Sequence, residues 1–246
     1  MARMSSLGAA MAGVVAGLVL AAAPCSAEWF ADIYVGATRI ANEDPRINDR
    51  SAGPGTFRDV EFDIGYVIGG RFGAYFDAVP FLGLAVDYSS ASSYIGPQTV
   101  RVDGCSLLGG CGVNRVPTGS FEIDQKALSL DIMLRLPIGA TKEAPWGVVQ
   151  PYIGVGVPLV ITSITPHNTR LFRNHDGDTD LSFGYKGEVG VAVSVYKNLM
   201  VFGEYRFMHT EAEFEMGSYA PGTRTRSTLR TDLDTHSAIV GLSARW

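Results

Sequence analysis

The chain has 246 residues, with 20 lysines and arginines against 25 aspartates and glutamates, and a formal net charge of −5. This acidic balance lacks the basic bias of nucleic-acid-binding proteins, so we expect no nucleic-acid partner. After the N-terminal segment, no apolar stretch approaches the roughly 20 residues that a transmembrane helix needs.

Residues 1–27 have the composition of a secretory signal peptide. Arg3 is followed by an apolar run over about 7–23, and small residues lead up to Ala27. We predict cleavage after Ala27 and one exported domain over residues 28–246.

The rest of the chain alternates apolar and polar residues with the two-residue period of β-strands. In LSFGYKGEVGVAVSV (181–195), one face holds Leu, Phe, Tyr and Val, and the other holds small or charged residues. We predict eight such strands, at about 29–41, 57–76, 81–95, 121–137, 148–164, 180–196, 199–215 and 233–246. Short turns at 77–80, 138–147 and 197–198 alternate with long polar connections at 42–56, 96–120, 165–179 and 216–232.

These connections predict an all-β fold of one particular kind. An even number of strands with this alternation is typical of an eight-stranded antiparallel up-and-down transmembrane β-barrel, with short periplasmic turns and four long extracellular loops. Both chain ends then lie at the short-turn rim. A periplasmic aromatic girdle is expected there, formed by Trp29, Phe76, Trp146, Tyr196 and Trp246.

The less apolar face of the predicted strands carries charges and glycines. Pairing strands about their turns places Arg71 opposite Asp87 and Glu188 opposite Arg206, to within one register step. We predict an interior charge network formed by Arg71, Asp87, Asp131, Arg135, Lys186, Glu188, Glu204 and Arg206. A soluble barrel with its apolar face inward is the alternative, but an unbroken outward face of Val, Leu and Phe is explained by lipid rather than water.

Three segments carry a family resemblance, namely QPYIGVGVP (150–158), VFGEYRFMHTEAEFE (201–215) and THSAIVGLSARW (235–246). They resemble the small eight-stranded outer-membrane barrels, the OmpA-like and opacity-protein-like surface proteins. The resemblance implies a place in the bacterial outer membrane among lipid and lipopolysaccharide. It also implies that the last strand, with Val240, Leu242 and the terminal Trp246, is the signal read by the barrel-assembly machinery.

A lipid A-modifying enzyme is one alternative within this class. His209 and His236 are predicted to face outward at similar heights, with Glu211 on the same face. The deacylase barrels use a serine two residues from the histidine, but Ala238 stands there and Ser237 faces inward. We therefore expect no catalytic residues. The histidines would instead lie near lipopolysaccharide phosphates, together with the loop arginines Arg224, Arg226 and Arg230.

A narrow channel for small solutes is the other alternative. Eight strands enclose a bore only wide enough for side chains. The predicted charge network would fill that bore, which argues against general porin activity.

Two features fall in the predicted loops. Cys105 and Cys111 bracket CSLLGGC in an exported chain, which favours a disulfide over a metal site. Asp176, Asp178 and Asp180 alternate like the start of a calcium loop, but the glutamate expected at its twelfth position is missing. We therefore predict neither a metal nor a cofactor.

The sequence thus predicts a non-enzymatic outer-membrane barrel with a structural, adhesion or envelope-integrity role. Loops on a rigid scaffold are where binding residues usually lie. A host or cell-surface ligand would therefore be bound through the loops.

Overall fold

A computed structural model describes residues 27–41, 44–49, 53–58, 60–106, 110–117, 119–141, 146–167, 178–220 and 223–246. The predicted signal peptide, apart from Ala27, lies outside these residues. In the described segments, the structure contains no helix of the length and apolarity that a membrane-spanning helix requires.

All regular structure in the described residues is β-strand. The strands are β1 (Ala27–Ile40), β2 (Arg46–Asp49), β3 (Gly53–Arg58), β4 (Gly65–Phe76), β5 (Val79–Ile95), β6 (Thr99–Ser106), β7 (Gly110–Pro117), β8 (Ser120–Arg135), β9 (Val149–His167), β10 (Asp178–Tyr196), β11 (Leu199–Ala220) and β12 (Thr223–Arg245).

Eight long antiparallel strands form a closed ring in the order β1, β4, β5, β8, β9, β10, β11 and β12. The last strand pairs with the first, from Phe30 opposite Arg245 to Ile40 opposite Thr235. Beyond this ladder, the backbones of Trp29 and Trp246 exchange two hydrogen bonds of 2.9 and 3.1 Å. Closure leaves no unpaired edge at this seam, as a barrel in lipid requires, and the predicted eight-stranded fold is confirmed.

The apolar face of the strands points outward. Val191 and Leu242 are 45% and 44% exposed, whereas Glu188 and Arg206 on the other face are 5% and 4% exposed. The same alternation runs around the ring, with outward Val, Ile, Leu and aromatic side chains. A soluble carrier would show the opposite arrangement, so the outward face is the lipid-facing surface.

The long connections at 42–56 and 96–120 are more ordered than the sequence predicts. They contain strands β2 and β3, and β6 and β7, which extend the sheet from the upper part of β12. The predicted loop at 216–232 is also wrong in part, because β11 and β12 remain paired up to Ala220 and Thr223. The predicted loop at 165–179 lies largely outside the described residues.

The second long strand is shorter than predicted. It begins at Gly65 rather than residue 57, since Phe57 belongs to β3 and residues 60–64 form no strand. The chain turns inward here, so Phe62 is 6% exposed within an apolar cluster. The Asp63 backbone N–H still donates to the Tyr94 carbonyl at 2.9 Å, which ties this segment to β5.

Candidate functional site

An ion-pair network lies in the barrel interior at mid-height. Arg71 on β4 contacts Asp87 at 3.2 Å, Glu188 at 3.1 Å and Glu204 at 2.7 Å. Arg206 on β11 contacts Asp87 at 2.9 Å and Glu204 at 2.8 Å. Arg71 and Arg206, on opposite sides of the ring, therefore share the carboxylates of Asp87 and Glu204.

The register explains why these side chains meet. Arg71 lies directly opposite Asp87 on β4 and β5, and Glu188 directly opposite Arg206 on β10 and β11. Each of these residues is at most 5% exposed. Removing one member of such a buried network leaves charges without partners.

Two tyrosines complete the hydrogen bonds of the network. The Tyr34 hydroxyl donates to Asp87 Oδ1 at 2.8 Å and accepts from Arg206 Nη1 at 2.9 Å. The Tyr152 hydroxyl donates to Glu204 Oε2 at 2.9 Å. These tyrosines are absent from the predicted charge network, although their even-numbered positions place them on the inward faces of β1 and β9.

Glycines allow the network to fit inside a narrow barrel. A methyl group on Gly156 would lie 1.9 Å from Asp131 Oδ1, and one on Gly154 would lie 2.6 Å from Glu188 Oε1. By contrast, Gly187 has no atom within 4 Å of that position. The absence of a side chain at these inward glycines therefore leaves the room that the neighbouring carboxylates occupy.

Arg135 belongs to a separate layer nearer the short-turn rim, rather than to the central network. It forms a two-point ion pair with Glu28 and stacks 3.7 Å from the Tyr75 ring centre. Arg245 also contacts Glu28, at 3.3 Å, and lies over the Phe30 ring at 4.9 Å. Glu28 and Arg245 are not among the predicted interior charges, although Arg245 falls on the inward face of the last strand.

An apolar layer fills the interior above the charges. It is formed by Ile40, Phe62, Ile95, Ile123, Ala212, Phe214, Leu229 and Leu233, all at most 9% exposed. Five buried cations and six buried carboxylates are found among the described residues below it. The bore is thus occupied by side chains at each of these levels.

One carboxylate cluster has metal-like spacing. Asp87, Asp131 and Glu188 bring oxygen atoms within 4.8 Å of one another. The Lys186 ammonium lies among them, at 3.6, 2.7 and 3.4 Å respectively. The Lys186 ammonium therefore occupies the position that a metal ion would take between these carboxylates.

The predicted aspartate triplet has a different arrangement. Asp176 lies outside the described residues, and Asp178 and Asp180 begin β10. Asp178 Oδ1 accepts from the Thr179 backbone N–H, and Asp180 Oδ2 accepts from the Glu213 N–H at 3.2 Å. The two described members thus have protein partners.

The aromatic side chains predicted to form a girdle at the short-turn rim differ in their exposure. Trp29 stacks on Phe72 at 5.4 Å, and Phe72 contacts the Trp246 ring at 6.3 Å. Tyr196 is exposed, and Phe76 is half-buried beside the β4–β5 turn. Trp146 is also half-buried, and its indole Nε1 is enclosed without a hydrogen-bond partner among the residues that the structure describes.

The two outward histidines are not direct cross-strand partners. His209 lies opposite Asp234, with 2.5 Å between Nδ1 and Oδ1, and stacks on Tyr185 at 4.8 Å. His236 lies opposite Phe207, and its Nδ1 is 2.6 Å from the Tyr205 hydroxyl. The acid beside His209 is therefore Asp234 rather than Glu211. Val240 and Leu242 face outward below His236, and Ser237 faces inward, as predicted.

Ion pairs join the extracellular strands. Arg58 on β3 contacts Asp44 at 2.6 Å and Asp103 on β6 at 3.0 Å, and Arg101 contacts the same Asp103 at 3.0 Å. The hydrogen bond to Asp44 raises the pKa of Arg58 above its ordinary value. Desolvation opposes it, but the hydrogen bonds from Arg58 and Arg101 hold the pKa of Asp103 below its ordinary value.

The backbones of Cys105 and Cys111 are direct partners in the β6–β7 hairpin. Their side chains lie outside the described part of the structure, so the disulfide stays a prediction. The side chains of Arg224 and Arg226 lie outside it as well, whereas Arg230 pairs with Glu213 at 2.8 Å.

Comparison with known proteins agrees with this architecture. Residues 12–245 match the family described as outer membrane protein beta-barrel domain. No curated protein sequence matches the chain.

Solved structures of outer-membrane barrels are similar to it. The outer membrane protein OprG from Pseudomonas aeruginosa has a TM-score of 0.61 and 17% identity, over 90% of this chain and 96% of that one. Neisserial surface protein A has a TM-score of 0.44 and 14% identity, over 89% and 97%. The outer membrane protease OmpT from Escherichia coli has a TM-score of 0.46 and 9% identity, over 91% and 98%. The chain belongs to the outer membrane protein beta-barrel domain family and is located in the bacterial outer membrane.

Proposed function

We propose that this protein is a non-enzymatic outer-membrane surface protein whose barrel is a closed scaffold and whose extracellular strands and loops bind another surface. The observation that carries the proposal is the central ion-pair network. Its charged side chains are at most 5% exposed and link opposite sides of the ring. Such a bore offers no continuous path for a solute.

The extracellular extension supports a binding role. Strands β2, β3, β6 and β7 carry the sheet beyond the ring, and Arg58, Arg101 and Asp103 join two of them. Ordered strands present side chains at fixed positions, which lowers the entropic cost of binding. The β6–β7 hairpin is therefore the first segment to test.

The decisive variant replaces residues 97–119 with an Asn-Gly turn. Because Ile95 and Phe121 are already cross-strand partners, a two-residue turn can join β5 to β8 without disturbing the ring. Heat-modifiable migration on detergent gels checks that the variant folds. We expect bacteria displaying the full chain to adhere to host or neighbouring cells, and bacteria displaying the variant to lose that adhesion.

Two further measurements separate the alternatives. Purified protein in planar bilayers should show no conductance steps, and expression should leave the lipid A mass unchanged. Regular conductance steps would favour a small-solute channel. A change in lipid A mass would favour an enzyme that uses the His209–Asp234 pair, and either result contradicts the proposal.

A further inference from the structure

The wall of the barrel opens between β10 and β11. Their ladder reaches Gly184 opposite Thr210 and goes no further, although both strands continue. Above this point β10 pairs with β9, up to Asp178 opposite Ile164, and β11 pairs with β12. Across the gap, the structure shows the bond from the Glu213 N–H to Asp180 Oδ2. Two strand edges therefore diverge and leave a cleft.

This β10–β11 cleft has a volume of about 790 Å³. One wall, on β10, presents Phe183 and Tyr185, whose side chains are 73% and 56% exposed on the lipid-facing surface. The facing wall presents His209, Glu211 and Glu213 on β11. The charged residues of the remaining lining are three carboxylates and two arginines, namely Asp44, Asp180, Asp232, Arg46 and Arg230. The cleft is therefore amphipathic, with an aromatic side that continues the apolar outer face of the barrel.

The outward side chains of β11 and β12 form three successive cross-strand rungs beside the cleft. In the first, His209 pairs with Asp234, and in the third, Glu213 pairs with Arg230 at 2.8 Å. The middle rung places two carboxylates, Glu211 and Asp232, directly opposite each other. Like charges at directly opposed positions destabilise a sheet. Both carboxylates line the cleft, so a cation held there would neutralise them.

One enclosed hydroxyl lies in the lining of the cleft. The Ser182 Oγ, on β10, is enclosed and has no hydrogen-bond partner among the described residues. Buried polar atoms are normally hydrogen-bonded, so this hydroxyl is available to a polar group that enters the cleft.

We propose that the β10–β11 cleft binds a cationic amphiphile, with its ammonium group between Glu211 and Asp232 and its hydrocarbon chain along Phe183 and Tyr185. Charge complementarity selects the head group, because the lining holds five carboxylates against two arginines, and among the described residues neither Glu211 nor Asp232 forms an ion pair. The exposed aromatic wall selects the chain, because burying apolar surface against it is favourable. This binding is independent of the adhesion proposed above.

The test uses the full protein in phosphatidylcholine nanodiscs and decylammonium as the probe, with empty nanodiscs as the reference. We expect saturable binding by titration calorimetry in discs that contain the protein. The double variant E211Q/D232N should bind about tenfold more weakly or worse, since it loses both charge-assisted contacts. It should fold, because it removes a like-charge pair.

The matched control is E61Q/D63N, which removes two exposed acids away from the cleft and should leave binding unchanged. F183S should weaken binding of decylammonium but not of methylammonium, since only the longer amine reaches the aromatic wall. Equal binding by wild type and E211Q/D232N would overturn the proposal. So would Mg²⁺ or methylammonium binding as tightly as decylammonium, because the site would then recognise charge alone.

Discussion

At the residue scale, Lys186 is the cation that holds three carboxylates together. Its ammonium lies 2.7 Å from Asp131 and within 3.6 Å of both Asp87 and Glu188, all buried. Methionine has a similar volume but no charge. Lys186→Met therefore leaves the carboxylates without their shared partner, and it should reduce the free energy of unfolding by about 3–5 kcal/mol.

The measurement is urea unfolding of the purified barrel, followed by heat-modifiable gel migration and tryptophan fluorescence. Lys197→Met is the matched control, because Lys197 is exposed in the β10–β11 turn. It should change stability by no more than about 0.5 kcal/mol. Equal stability of the two variants would show that the network contributes nothing through Lys186.

The sequence predicts some of these contacts and misses others for a physical reason. The short β4–β5 turn places Arg71 close to Asp87, but a register shift between Tyr75 and Phe76, which the sequence does not reveal, sets the exact pairing. Glu28 meets Arg245 through closure of the ring, which joins residues more than 200 positions apart. Local alternation identifies the inward face but does not reveal such distant partners. Asp234 is missed beside His209 for another reason, because β11 and β12 stay paired through 216–232, where the sequence predicts a loop, so no short turn marks their register.

At the element scale, the extracellular strands show where composition misleads. The connection at 96–120 looks polar overall, but Val100 and Val102 alternate with Arg101 and Asp103. The valines are 1% and 2% exposed and pack against Phe57. A period of two over four residues is too short to predict a strand when charged residues flank it, so the sequence predicts a loop where β6 lies.

The ion pairs at Arg58 give these strands a testable pH dependence. Asp103 has a lowered pKa in the folded protein, so its contribution is present above its ordinary value of about 3.9 and is lost as pH falls through the folded value. Arg58→Gln should speed hydrogen exchange in β3 and β6 at neutral pH. The difference from wild type should shrink as pH falls below about 3.9.

Arg115→Gln is the control, because Arg115 is exposed on the neighbouring strand β7. It should leave exchange in β3 unchanged. A difference between Arg58→Gln and wild type that stays constant down to strongly acidic pH would show that the ion pair with Asp103 is not responsible.

At the scale of the whole molecule, the fold follows from one repeated pattern. Each of the eight ring strands places apolar side chains outward and its small, polar and charged side chains inward, together with some apolar ones such as Phe30 and Leu233, so every strand predicts the same barrel. Lipid then requires closure, since an open edge would leave backbone groups without partners. The cleft between β10 and β11 cannot be predicted from this pattern, because the alternation of apolar and polar residues continues on both strands after their ladder ends.

A substitution at Trp246 can separate assembly of the barrel in the cell from its folding. Trp246 is bound through its backbone to Trp29, whereas its side chain is 53% exposed. Trp246→Ser should therefore keep the closing hydrogen bonds, refold in detergent and migrate heat-modifiably. If the assembly machinery reads the terminal aromatic ring, the amount of folded barrel in the outer membrane should fall severalfold.

Tyr196→Ser removes another exposed rim aromatic, 72% exposed, and should leave that amount nearly unchanged. Equal losses for the two variants would assign the effect to the interfacial girdle, because both rings belong to it.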